Sequence, residues 1–277
     1  MIRLFCLILF LFGAEARAGF QRIVCLNPLL SEWVAEILGR KAALQRVVGV
    51  SEYSNHPDYL RGVPEVGPYP KLHLEKIASL KPDLVLASEE YNLPEQVEQL
   101  KRLKLNVISV KKESFGLMEE WIDSLGKILG ESGAGAEARN RWKGLRKTLG
   151  KNTGTKTRVF IEIQHRPLIT VGGDSYLNDA LESVGLKNVF SSVRAGYPKV
   201  SIESVLSADP ERILILDHAE APVELAESKK DWTRFQTLSA VRSGRIEMIS
   251  GDDFARCSLR LLNALKGLRS RHEERNP

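Results

Sequence analysis

One stretch of this chain occurs twice. Tyr69 to Leu86 aligns without a gap with Tyr197 to Leu214, and seven of the 18 residue pairs are identical, among them Tyr69/Tyr197, Pro70/Pro198, Glu75/Glu203 and Pro82/Pro210. A single large offset predicts two similar halves, because stacked repeats recur every 20–50 residues or so and more than twice. Each copy reads as an aromatic-Pro loop, a short helix, a Pro-marked turn and a buried strand. The glutamate falls in the first helical turn, where the helix dipole favours an anion, and the proline cannot continue the helix. The short apolar runs Leu84 to Ala87 and Ile213 to Leu216 suit interior strands of a parallel sheet.

Strands and helices alternate around both copies. Ile23 to Leu26 reads as a first strand, followed by a helix capped by Ser31, carrying Trp33, Val34, Ile37 and Leu38, and stopped by Gly39. Arg158 to Ile163 opens a second series that ends in a helix through Leu259, Leu262 and Leu265. This order predicts an α/β fold: two α/β lobes with mainly parallel sheets, joined by a single long interlobe helix, with a ligand cleft between them. The expected divisions are a signal peptide over 1–18, an N-terminal lobe over 19–130, the interlobe helix over 131–152 and a C-terminal lobe over 153–277. A helical connection is a stiff spacer, which predicts limited closure of the lobes.

The leader is read from Met1-Ile2-Arg3, an apolar run from Leu4 to Phe12 too short to span a bilayer, and Ala16-Arg17-Ala18. This pattern predicts export, cleavage after Ala18 and a periplasmic location. Cleavage leaves Cys25 and Cys257, whose pairing depends on a proximity that sequence does not supply; Cys25 lies in an apolar strand, as a small core residue would. The net charge of +5 is mild and the charges are interspersed. There is neither a basic stripe nor a recognisable nucleic-acid-binding module.

No catalytic constellation is legible. Gly172-Gly173-Asp174-Ser175 lacks the Gly-x-Ser-x-Gly elbow, and neither a phosphate loop nor a dinucleotide fingerprint occurs. Ser175 reads as a helix-start residue. His56, His73, His165, His218 and His272 are scattered without metal-ligand spacing, so no catalytic or metal-binding residue is assigned and the chain is not expected to be an enzyme. An exported enzyme using the interlobe cleft is the reading from another class.

Tyr53, Tyr69 and Tyr197 fall in loops flanked by Ser, Asn, Gly or Pro. A loop tyrosine can simply lean on its own lobe. The repetition of Tyr69 at Tyr197 favours two loops meeting across one cleft, where a planar amphipathic ring stacks on a ligand. Glu75 and Glu203 suit ordinary first-turn helix positions, and equally two acidic knobs that dock onto arginine pockets of a symmetric partner.

The Ser51-Glu52-Tyr53-Ser54 loop, Leu74-Glu75-Lys76-Ile77 with Lys81-Pro82-Asp83-Leu84-Val85, Tyr197 to Glu203, and Phe254-Ala255-Arg256-Cys257-Ser258 together resemble the helical-backbone periplasmic binding proteins of iron-siderophore, haem and cobalamin ABC importers. The resemblance covers nearly all of the sequence after the leader, and the corrinoid-binding members are nearest. It implies a monomer with no cofactor of its own. The implied ligand is a corrinoid, with a ferric siderophore or haem as the alternative, delivered to an ABC permease and its ATPase. It also implies that Tyr53, Tyr69, Tyr197, Phe254 and Arg256 line the cleft and that Glu75 and Glu203 dock on the permease. Tyr69 and Tyr197 stand where corrinoid-binding members carry tryptophan, Ser88 stands where a third is expected, and His165-Arg166 adds polarity to a loop that is largely apolar there; His165 is counted with the ligand-binding residues, and in a haem receptor a tyrosine or His165 would ligate the iron.

Overall fold

A computed structural model describes residues 19–68, 70–112, 114–150, 156–217 and 222–274. The expected leader over 1–18 and the ring of Tyr69 lie outside the described residues. The first half runs β1 (Ile23–Cys25), α1 (Pro28–Arg46), β2 (Val47–Val50), a 3-10 turn (Asp58–Gly62), α2 (Leu74–Ser79), β3 (Leu84–Ser88), α3 (Pro94–Arg102) and β4 (Val107–Val110). Two helices follow, α4 (Met118–Ile128) and α5 (Ser132–Thr148). The second half runs β5 (Thr157–Gln164), β6 (Ile169–Thr170), α6 (Tyr176–Glu182), β7 (Leu186–Asn188), α7 (Ile202–Ala208), β8 (Arg212–Asp217), α8 (Pro222–Thr233), α9 (Ser239–Arg242), β9 (Ile246–Ser250), α10 (Gly251–Phe254) and α11 (Leu259–Glu274).

The first sheet has the order β2-β1-β3-β4, all parallel. In the second, β7, β8 and β9 extend the same pattern around β5, as β7-β5-β8-β9, and β6 adds an antiparallel hairpin strand on β5. The two halves therefore share one strand plan, and the repeat seen in the sequence is structural. The offset of 128 residues that pairs Tyr69 with Tyr197 also pairs the starts of α2 and α7, at Leu74 and Ile202, and of β3 and β8, at Leu84 and Arg212. Even the backbone at the turn agrees: Lys81 and Asp209, each before its proline, have φ of 46° and 39°. That left-handed region is uncommon for residues other than glycine.

The strands alternate between two destinations, as the two-residue period of a strand requires. Ile23 and Cys25 of β1, Leu84 and Leu86 of β3, Val159 and Ile161 of β5, and Leu214 and Leu216 of β8 all enter one apolar cluster. The intervening Val24, Val85 and Ala87 enter a separate cluster on the outer face of the first sheet, and Phe160, Ile213 and Ile215 a third on the outer face of the second. The shared cluster is completed by α1, α4, α5 and α11, through residues such as Trp33, Ile122, Trp142, Leu261 and Leu265. Trp142 on α5 meets Trp33 edge-to-face with centroids 6.0 Å apart. Each fully buried Leu, Ile or Val of this cluster contributes about 1.5–3 kcal/mol. Cys25 is a buried thiol of this core, and burial pushes its pKa up to about 12.

The α1 helix differs from expectation at both ends. Asn27, not Ser31, caps it: Oδ1 accepts from the amide of Leu30 at 2.9 Å, and Pro28 fills the first helical position. Ser31 lies inside, donating its hydroxyl to the Pro28 carbonyl at 2.8 Å. Gly39, with φ of 71° and ψ of 161°, kinks the helix instead of ending it. Where α4 meets α5, Gly126 and Gly135 touch backbone to backbone, since a Cβ on Gly126 would lie 2.8 Å from the Gly135 Cα. Among the described residues no helix is long and apolar enough to cross a membrane.

Candidate functional site

In open parallel sheets the loops beyond the carboxyl ends of the strands are where ligands bind. Beyond β2 lies the loop of Tyr53, and beyond its counterpart β7 lies the loop of Tyr197. These two rings, 39% and 38% exposed, are the only aromatic ones among the exposed large apolar side chains of the described residues. In the Tyr53 loop, Ser51 and Ser54 share a hydroxyl–hydroxyl bond of 2.9 Å, and the Glu52 amide donates to the Gly67 carbonyl at 3.1 Å. The Tyr197 loop rests on β6 and on the glycines after it. The Thr170 amide donates to the Pro198 carbonyl at 3.1 Å, Gly172 to Gly196 at 2.9 Å and Gly173 to Val193 at 2.8 Å. A Cβ on Gly172 or Gly173 would overlap the carbonyl oxygens of Ala195 or Ser191, so this close approach demands glycine.

The segment after β9 brings the other half to the same place. Phe254 is 2% exposed and packs into the shared core, its carbonyl accepting from the Tyr176 hydroxyl at 2.9 Å. Arg256 is 8% exposed, with its guanidinium turned onto Glu32, Asn55 and the Tyr53 carbonyl of the first half. The Trp33 indole donates across the same seam to the Cys257 carbonyl at 3.0 Å. The segment beyond β9 thus meets the Tyr53 loop beyond β2.

His165 lies in the β5–β6 hairpin with both ring nitrogens engaged: Nδ1 is 3.2 Å from Glu162 Oε1, and Nε2 is 3.1 Å from Asp231 Oδ2. Glu162 is buried and also accepts from the Ser228 hydroxyl at 2.5 Å and from the Trp232 indole. The His165 hydrogen bond, foremost, holds the Asp231 carboxyl below the usual carboxylate range, aided by Arg234 and Arg166. His165 therefore ties the hairpin to α8, beside a cavity of about 140 Å³ walled by Leu168, Ile202, Trp232 and Phe235.

Glu75 and Glu203 are exposed in the first turns of α2 and α7. Hydrogen bonds from its own backbone amide and from the Ser201 hydroxyl hold the Glu203 carboxyl below its ordinary range. Ser201 caps α7, accepting from the Ser204 amide at 3.2 Å, and Ser175 caps α6, as the sequence suggests for Ser175. Among the described residues no group of three or more His, Cys, Asp or Glu side chains is gathered as a metal site. Sequence reasoning missed Glu32, Asn55 and Asp252 as partners of Arg256. No local signal marks them, since Glu32 follows Ser31 and shares its helix with a second acid, Glu36.

A two-lobed α/β chain with exposed rings at the carboxyl ends of both sheets has the build of a binding protein. The family model described as periplasmic binding protein matches residues 23–251, and the chain belongs to that family, one of binding proteins and not of enzymes. It is 28% identical over 275 residues to the vitamin B12-binding protein of Vibrio parahaemolyticus, covering 96% of this chain and 95% of that one. Its fold matches the crystal structure of the periplasmic vitamin B12-binding protein of Vibrio cholerae with a TM-score of 0.76 and 25% identity, covering 91% and 96% of the two chains. A periplasmic heme-binding protein of Pseudomonas aeruginosa shares the fold with a TM-score of 0.79 and 24% identity, over 91% of this chain and 92% of that one.

Proposed function

We propose that this protein is an exported receptor, freed from its leader after Ala18, that captures a corrinoid in the periplasm and delivers it to the permease of an ABC importer. The observation that carries the ligand is the near-full-length likeness to vitamin B12-binding proteins. It is supported by one tyrosine ring left exposed in each half, Tyr53 and Tyr197. In this reading Tyr53 and Tyr197, with Tyr69, stack on a large planar ligand whose burial supplies most of the affinity. No bond is made or broken. The exposed Glu75 and Glu203 reach arginine pockets on the permease, and engagement of both lobes draws the cleft open.

A haem or ferric-siderophore ligand is the second reading. It is favoured by tyrosine, in place of tryptophan, at Tyr197, since a phenolate oxygen ligates iron. His165 does not serve that role well, because both its nitrogens already face carboxylates. Titration with cyanocobalamin should quench the fluorescence of Trp33, Trp121, Trp142 and Trp232 and release heat. A titration that changes neither overturns the corrinoid, and a Soret band shifted on adding haemin would move the assignment to haem.

A further inference from the structure

Beneath the Tyr53 loop the two halves are joined by buried charges. Arg256 donates from Nη1 to Glu32 Oε1 and to Asn55 Oδ1, both at 2.9 Å, and from Nη2 to the Tyr53 carbonyl at 2.8 Å. Asn55 donates its side-chain amide to Asp252 Oδ2 at 2.9 Å. Glu32 also accepts from Arg260 Nη2 at 2.6 Å, and Arg260 Nη1 reaches Asp253 Oδ1 at 3.2 Å. Glu32 sits on α1 and Tyr53 and Asn55 on the loop after β2, whereas Asp252, Asp253, Arg256 and Arg260 come from α10 and α11 or the turn between them. Every bond from Arg256 to these acceptors therefore crosses from one half to the other.

We infer that Arg256 is a positioning residue for the ligand: it acts through Tyr53, fixing that ring in the cleft and the two halves at one separation. The inference rests on the cleft assignment made above. A planar guanidinium has donors enough, in fixed directions, to hold a carboxylate, an amide and a backbone carbonyl at once, which an ammonium group does not. Its side chain is only 9% exposed, and that of Glu32 5%. These donors are spent on the protein, leaving Tyr53 as the group presented outward. A loop ordered before the ligand arrives loses less freedom on binding, so the clamp raises affinity without contact.

The Arg256→Lys variant keeps a cation beside the buried Glu32 but loses the fork. In the ligand-free protein, the amides of Ser51 to Asn55 should exchange hydrogen faster in this variant while those of β1 and β3 stay protected; unchanged loop exchange overturns the inference. With cyanocobalamin as probe, Arg256→Lys should weaken binding about tenfold, and should weaken it little further in a Tyr53→Ala background. Equal losses in both backgrounds would mean that Arg256 contacts the ligand itself, and unchanged affinity would mean that it only stabilises the fold; either overturns the inference. If the wild-type chain binds neither cyanocobalamin nor haemin, the ligand assignment fails, and the positioning role is decided by the exchange measurement alone.

Discussion

Asp209 ends α7 in a left-handed conformation, and its carboxylate accepts from the Ser239 amide at 2.7 Å and the Ser239 hydroxyl at 2.8 Å. These bonds hold its pKa below the ordinary value of 3.8, with a smaller contribution from Arg158. Because the folded value is the lower one, the stabilisation is present above 3.8 and is lost as pH falls through the folded value. Asp209→Asn should melt roughly 1–3 °C below wild type at pH 7, and the gap should close in melts run at progressively lower pH. A gap that stays constant with pH would remove the charge from the explanation. At this scale the site was partly legible. Tyr53 and Tyr197 are marked by polar and Pro-rich loops, and both rings are exposed. Nothing local marks the partners of Arg256, because Glu32 lies 224 residues away and Asn55 201 residues away.

At the scale of elements, the α7 unit shows why the repeat was readable. Its glutamate, proline and apolar strand each satisfy a local rule, so identity at those positions is enough to place α2 with α7 and β3 with β8. The start of α1 was not readable in the same way. Asn27 and Ser31 are both good caps, and only the proline after Asn27, which needs no amide partner, decides between them. The glycine pair after β6 reads in sequence as a turn into α6. Its second role, as a flat seat for the 191–196 segment, depends on a chain that arrives later. Gly172→Ala forces that segment away from β6, an overpacking that costs about 1–3 kcal/mol. The melting temperature should fall accordingly, and cyanocobalamin binding should weaken as Tyr197 shifts. Unchanged affinity in the folded variant would separate Tyr197 from the ligand.

At the scale of the molecule, the two halves repeat one plan and carry their matched glutamates on equivalent helices. Joint replacement, Glu75→Ala with Glu203→Ala, should abolish uptake of the ligand in a transport assay while leaving its affinity within about twofold, as expected for exposed side chains away from the cleft. Retained uptake, or lost affinity, would refute the docking role. The alternation of strand and helix made the α/β plan legible. It gave no sign that the inner faces of both sheets drain into one interior, since membership of a core depends on which helices close over it.

That shared interior has a consequence for the order in which the chain is completed. Leu30, Trp33 and Val34 on α1 pack in the same cluster as Leu261, Leu262 and Leu265 on α11, and the Trp33 indole waits for the carbonyl of Cys257. During synthesis the first half emerges well before its cover. Its α1 face stays open to water, and to whatever chaperone meets it, until α11 has followed.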